Sequence, residues 1–126
     1  MKILCVDDEI LILGLTVSMC ERLPQRPEVT GFDNSADALA YFENNTADIA
    51  ILDINMPEMD GFRLAARIRE MQPDISVIFI TGYADYSDDV IQLYASDCLL
   101  KPVSVSRLSQ AVEQTMADRT RRKAEG

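Results

Sequence analysis

Asp7 and Asp8 follow directly on the apolar run of KILCVDDE, with Glu9 next. Asp53 closes the run IAIL, Thr81 follows VIFI, and Lys101 follows CLL. Like charges a few ångströms apart repel, and burial raises their pKa values further, so such a group of acids needs a compensating cation or an exposed position. If the chain brings them together, three carboxylates, a hydroxyl and an ammonium make a site for a hard divalent cation with an oxyanion beside it. Mg²⁺ suits that donor set, because it accepts oxygen ligands and keeps several waters. The chemistry such a site supports is phosphoryl transfer, with one carboxylate as nucleophile forming an acyl phosphate.

Whether the groups meet depends on the elements that carry them. Short apolar runs recur along the 126-residue chain at 3–6, 27–32, 49–52, 77–80 and 98–100. Between them lie segments of helical periodicity at about 9–22, 35–44, 61–71, 86–94 and 105–119, punctuated by Pro24, Pro27, Asn44, Asn45, Pro73 and Gly82. Asn34 or Ser35, Asp60 and Ser104 or Ser106 are suited to cap the second, third and fifth of these helices. The alternation predicts an α/β fold: a (βα)5, doubly wound, five-stranded parallel sheet with helices on both faces. In such sheets the ligand site lies beyond the carboxyl ends of the strands. Asp7, Asp8, Asp53, Thr81 and Lys101 all fall at strand ends, so one rim receives them. Pro57 fixes a turn just past Asp53, and Gly61 relieves a tight backbone path there.

Composition narrows the classes. One domain with a real core fits this length, and 48% hydrophobic with 26% charged residues is ordinary for a packed globular chain. A net charge of −9 disfavours non-specific binding to nucleic acid or anionic membranes by this domain. Cys5, Cys20 and Cys98 are widely spaced and lack a C-x-x-C pairing, which reads as buried reduced thiols. The apolar stretch before Asp7 is too short for a secretory signal, and no run approaches membrane-spanning length; a cytoplasmic location is expected. We place the domain at 1–120 and a polar tail at 121–126. The basic stretch from Arg119 on either complements the last helix's dipole or begins a linker to an effector domain.

VDDE at 6–9, ILDINMPEMDG at 51–61, ITG at 80–82 and LLKP at 99–102 occur together in this order. In that combination the chain resembles the CheY-like receiver domains of two-component response regulators over about residues 2–118. The resemblance implies a flavodoxin-like strand order of 2-1-3-4-5 and a phosphoacceptor Asp53, served by a histidine kinase or phosphotransfer protein. It implies Mg²⁺ held by Asp8, Asp53 and the backbone carbonyl of Asn55, with Asp7 acting mainly through a bound water. Lys101 would pair with Asp53 or its phosphoryl group, and Thr81 would turn its hydroxyl towards the phosphate. Gly82 and Pro102 belong to the same motifs and are counted as binding positions, Pro102 as the site of a cis bond that aims the lysine inward. Beyond self-phosphorylation and autodephosphorylation, no enzymatic turnover is implied.

One position departs from the family. Many receivers carry an aromatic residue three places before the lysine of Lys-Pro, and here it is Cys98, which cannot report the same inward and outward states. Tyr83, Tyr86 and Tyr94 offer other aromatics, and Tyr83 is the expected substitute. The stretch TGYADYSDD resembles receivers joined to LytTR-type DNA-binding domains. If such a domain is linked, control by dimerisation through the fourth helix, fifth strand and fifth helix is expected. Two other classes use similar residues. A haloacid-dehalogenase-like phosphatase needs a second acid two places after the nucleophile, where Asn55 stands, and a nucleophile on the first strand. A pseudo-receiver that binds partners without phosphorylation would not need the acids and lysine that are all present.

Overall fold

The computed structural model describes residues 1–83 and 95–125. Its strands β1 (Lys2–Val6), β2 (Glu28–Phe32), β3 (Ile49–Asp53), β4 (Ser76–Thr81) and β5 (Asp97–Leu100) form one parallel sheet in the order β2-β1-β3-β4-β5. The helices are α1 (Ile10–Glu21), α2 (Ser35–Tyr41), α3 (Gly61–Met71) and α4 (Val105–Glu125). This is the expected α/β fold and strand order. The helix expected at 86–94, and with it the dimer surface built on that helix, lies outside the described residues.

Alternating side chains divide the core into two layers. Ile3, Cys5, Ile49, Ile51, Ile78, Ile80 and Leu99 face α1 and α4, meeting Cys20, Leu108, Ala111 and Val112. Leu4, Val6, Ala50, Leu52, Val77 and Phe79 face α2 and α3, meeting Ala38, Leu64, Ala65 and Ile68. Because β3 and β4 are buried at every position, their sequences read as unbroken apolar runs. Each such Ile or Leu removed from water contributes about 1.5–3 kcal/mol.

Local chemistry sets the helix starts. Asn34 Oδ1 accepts the Asp37 N–H at 2.8 Å, Asp60 Oδ1 accepts the Arg63 N–H at 2.9 Å, and Ser104 Oγ accepts the Arg107 N–H at 3.2 Å. Glu9 stands at the same position before α1, yet its side chain makes no capping bond. α1 is apolar on nearly every side, so Ile10, Leu11 and Leu15 stay exposed while Thr16 and Cys20 are buried.

The far end of the chain differs from the sequence expectation. α4 continues to Glu125 instead of ending near 119, so the basic stretch from Arg119 is helical that far. Arg119 is buried: its guanidinium donates to the Asp74 carbonyl at 2.7 Å and to Ser76 Oγ at 3.2 Å, and pairs with Asp48 Oδ1 at 3.4 Å. Anchored in this way at the amino ends of β3 and β4, the helix continues past the sheet. Cys5 and Cys20 are buried thiols and Cys98 is half-buried. Among the described residues no helix is long and apolar enough to cross a membrane.

Candidate functional site

The parallel registers bring the strand ends to one rim. Val6 pairs with Leu52, Asp53 with Ile80, and Thr81 with Leu100, so Asp7, Asp53, Thr81 and Lys101 all emerge at the carboxyl edge of the sheet. The β3–α3 loop is drawn in beneath them. Ile54 N–H donates to the Ile80 carbonyl at 2.9 Å, and Gly61 N–H donates to the Ile54 carbonyl at 2.8 Å. A Cβ on Gly61 would lie 2.5 Å from the Asp53 carbonyl oxygen and 2.8 Å from Ile54 Cα, so only glycine lets α3 start this close to the strand. Gly82 has no such restriction from the described residues.

Asp7, Asp8 and Asp53 each present a carboxylate oxygen within 4.8 Å of the others. Asp7 and Asp53 are 4% and 2% exposed, whereas Asp8 faces solvent. Lys101, joined to Pro102 by a cis peptide bond, reaches over this cluster. Its Nζ is 3.3 Å from Asp53 Oδ2, 3.2 Å from Asp7 Oδ2 and 3.0 Å from Glu9 Oε1. Backbone amides hold the carboxylates: Glu9 N–H donates to Asp7 Oδ1 at 2.9 Å, and Asn55 N–H donates to Asp53 Oδ1 at 3.2 Å. Thr81 Oγ1 donates to Asn55 Oδ1 at 3.0 Å and accepts the Tyr83 N–H at 3.1 Å.

These contacts set the charge states. Burial pushes the Asp53 carboxyl up to about 6, and the neighbouring Asp7 pushes the same way; Lys101 and the Asn55 N–H oppose them. Burial pulls the Lys101 ammonium down, but the hydrogen bond to Glu9 and the charges of Asp53 and Asp7 outweigh it, holding the lysine above its usual range and protonated. One monovalent ammonium does not satisfy the cluster. The partner of the buried Asp7 Oδ2 among the described residues is this ammonium, 3.2 Å away and shared with Asp53 and Glu9. An all-oxygen donor set with more carboxylates than one ammonium can neutralise fits a small hard divalent cation such as Mg²⁺.

The sequence matches the response regulator receiver domain family over residues 3–113. The chain belongs to that family. A response regulatory protein of Vibrio cholerae is 35% identical over 112 residues, which is 89% of this chain and 43% of that protein. The transcriptional regulatory protein YpdB of Escherichia coli is 31% identical over 93% of this chain and 48% of its own length. The chain therefore spans about half the length of the curated relatives it matches. A CheY-like receiver domain protein from Methanospirillum hungatei superposes with a TM-score of 0.85 at 29% identity, covering 99% of this chain and 98% of that one. TrrA of Thermotoga maritima, solved in complex with Mg²⁺ and BeF, superposes with a TM-score of 0.80 at 30% identity, covering 90% and 97%.

As a receiver domain, the chain implies a kinase or other phosphodonor as partner. The structure brings together Asp7, Asp8, Asp53, Lys101, Asn55 and Thr81 from the sequence reading, with Pro102 at the turn into α4. Cys98 packs at the margin of the α2–α3 core layer, and Tyr83 is exposed. Tyr86 and Tyr94 lie outside the described residues. One member of the site was not placed there from sequence: Glu9, the nearest carboxylate to Lys101. Its position directly after Asp8 was the available signal.

Proposed function

We propose that the chain is an active phosphoacceptor, in which Asp53 takes a phosphoryl group from a histidine kinase or phosphotransfer protein in a Mg²⁺-dependent step and so switches a downstream output. The observation that carries this reading is the buried Asp53, held between Lys101 at 3.3 Å and the carboxylates of Asp7 and Asp8 at the carboxyl edge of the sheet. Asp7, Asp8, Asp53 and the Asn55 carbonyl are the groups that would hold the metal. When bound, Mg²⁺ offsets negative charge on the phosphoryl oxygens as they approach three carboxylates.

The chain's own groups do the rest. An Asp53 Oδ attacks phosphorus as the donor's N–P bond breaks, and the imidazole leaves with its electron pair and takes a proton. With a pKa of about 6, Asp53 is mostly ionised at neutral pH and ready to attack. Lys101 places a positive charge beside the incoming oxygens. The Thr81 hydroxyl, engaged with Asn55 Oδ1 beforehand, turns to the new phosphate, and its backbone neighbour Tyr83 is the aromatic we place in the coupling that follows. YpdB and the LytR protein of Staphylococcus aureus are named transcriptional regulatory proteins, which supports a transcriptional output for the protein that carries this domain.

The test is the intact mass after incubation with acetyl phosphate, with and without Mg²⁺, beside an Asp53→Asn variant. A Mg²⁺-dependent gain of about 80 Da, one phosphoryl group replacing a proton, that the variant lacks is the expected result. If no adduct forms and beryllofluoride does not bind, the chain is a pseudo-receiver and its acidic rim a partner surface.

A further inference from the structure

Three carboxylates share the Lys101 ammonium, and they differ in depth. The Asp7 and Asp53 side chains are 5% and 2% exposed, while Glu9, the nearest at 3.0 Å, is 57% exposed. Glu9 therefore stands outermost of the three and, with the exposed Asp8, on the solvent side of the buried Asp53. A glutamate exposed to this extent ordinarily samples many rotamers, and its charge is spread by that motion. Here both ends are fixed. Its backbone N–H is bonded to Asp7 Oδ1 at 2.9 Å, and its carboxylate is bonded to Lys101. The side chain leaves the amino end of α1 uncapped, where an acid would normally bond to the backbone. The carboxylate that could have served the helix is turned towards the mouth of the site.

We infer that Glu9 is a specificity-determining residue for the phosphoryl transfer proposed above, a fixed negative charge at the mouth that selects against dianionic small-molecule donors relative to less charged ones. The inference rests on the phosphoacceptor reading of Asp53. Electrostatic work on an approaching donor scales with its charge, so a dianion meets twice the repulsion of a monoanion at the same distance. A donor presented on a protein surface brings compensating contacts of its own and is filtered less by this single charge.

The experiment measures phosphorylation rates of the chain with acetyl phosphate, a dianion at neutral pH, and with phosphoramidate, which carries one net negative charge. Both are run with saturating Mg²⁺ at low ionic strength, for the wild type, Glu9→Gln and Glu9→Asp. Glu9→Gln is expected to speed transfer from acetyl phosphate about three- to fivefold and from phosphoramidate about twofold, with both gains shrinking as salt is added. Glu9→Asp, which keeps the charge, is expected to hold the wild-type ratio of the two rates within about twofold. A change of packing alone moves both donors alike, and a Lys101 drawn away from Asp53 slows the dianion more than the monoanion, the opposite of the expected result. An equal change for the two donors, or no change, overturns the inference while leaving Asp53 as phosphoacceptor. A wild-type chain that accepts a phosphoryl group from neither donor overturns the phosphoacceptor reading itself.

Discussion

Thr81 Oγ1 donates to Asn55 Oδ1 across 3.0 Å, tying the end of β4 to the loop that follows β3. The hydroxyl that would serve a phosphoryl group on Asp53 is thus already occupied, on a residue two positions beyond the acceptor.

The first prediction concerns that hydroxyl. Thr81→Ala removes a donor that is not among the proposed metal-holding groups, so Mg²⁺ affinity by calorimetry should be unchanged. Phosphorylation by acetyl phosphate should slow about tenfold, the low end of what a hydrogen bond to a charged group contributes. Thr81→Ser should restore most of the rate. A parallel loss of Mg²⁺ binding would show that Thr81 shapes the acidic cluster itself.

The pH dependence follows from Asp53. In the folded chain without metal it holds its proton up to about pH 6, whereas an unstructured aspartate releases it near about 3.9, so protonation favours the fold. That stability is fully present below about pH 4 and lost as the pH rises through 6; it amounts to about 3 kcal/mol. The difference in unfolding free energy between wild type and Asp53→Asn, measured by urea titration in chelator, should therefore change between pH 4 and 7, with the variant gaining relative to wild type. A constant difference would mean that Asp53 is not strained by its neighbours. Because Mg²⁺ needs the ionised carboxylate, its binding should weaken below about pH 6 and release a proton there.

Gly61 tests the geometry of the acceptor. In Gly61→Ala the added carbon meets backbone atoms, the Asp53 carbonyl and Ile54 Cα, and neither can rotate away. A loss of about 2–3 kcal/mol is expected, with slower phosphorylation because the strand end carrying Asp53 must shift. A variant as stable as wild type would show that α3 can start further from β3 at little cost.

At the opposite pole, Arg119→Met replaces a buried guanidinium by a side chain of similar length. It leaves Asp48 Oδ1 and the Asp74 carbonyl without the guanidinium, while Ser76 Oγ keeps the Arg122 donor at 3.2 Å, and a loss of about 2–3 kcal/mol in chemical unfolding is expected. Phosphorylation of Asp53 should be unaffected. An effect on its rate would reveal coupling through β3 and β4 between the two ends of the sheet.

Much of this was legible in the sequence, for identifiable reasons. Strands buried on both faces cannot alternate, so IAIL and VIFI announce a parallel sheet, and Asp53 and Thr81, which end them, are placed by topology. Asn34 and Asp60 are legible as caps because their partners lie three residues away. Arg119 was not legible. Its partners, Asp48, Asp74 and Ser76, are more than forty positions distant, and within its own RTRRKAEG stretch it looks like a solvated cation. Glu58 was hidden too: its backbone adopts φ 67° in the loop after Asp53, a conformation that a glutamate does not advertise. The Glu9–Lys101 bond joins residues 92 positions apart and was concealed in the same way.

The exposed Ile10, Leu11 and Leu15 on α1 bear on how the molecules behave towards one another. At neutral pH a charge of −9 keeps neighbouring copies apart, and the apolar stripe stays in water. Near the isoelectric point of about 4.3 that repulsion vanishes while the stripe remains, so contact between copies through these side chains meets less electrostatic opposition. Colloidal stability and the protonation of Asp53 thus change over adjoining stretches of the pH scale, and the acidic surface that makes the site also keeps its helix-bearing side dispersed.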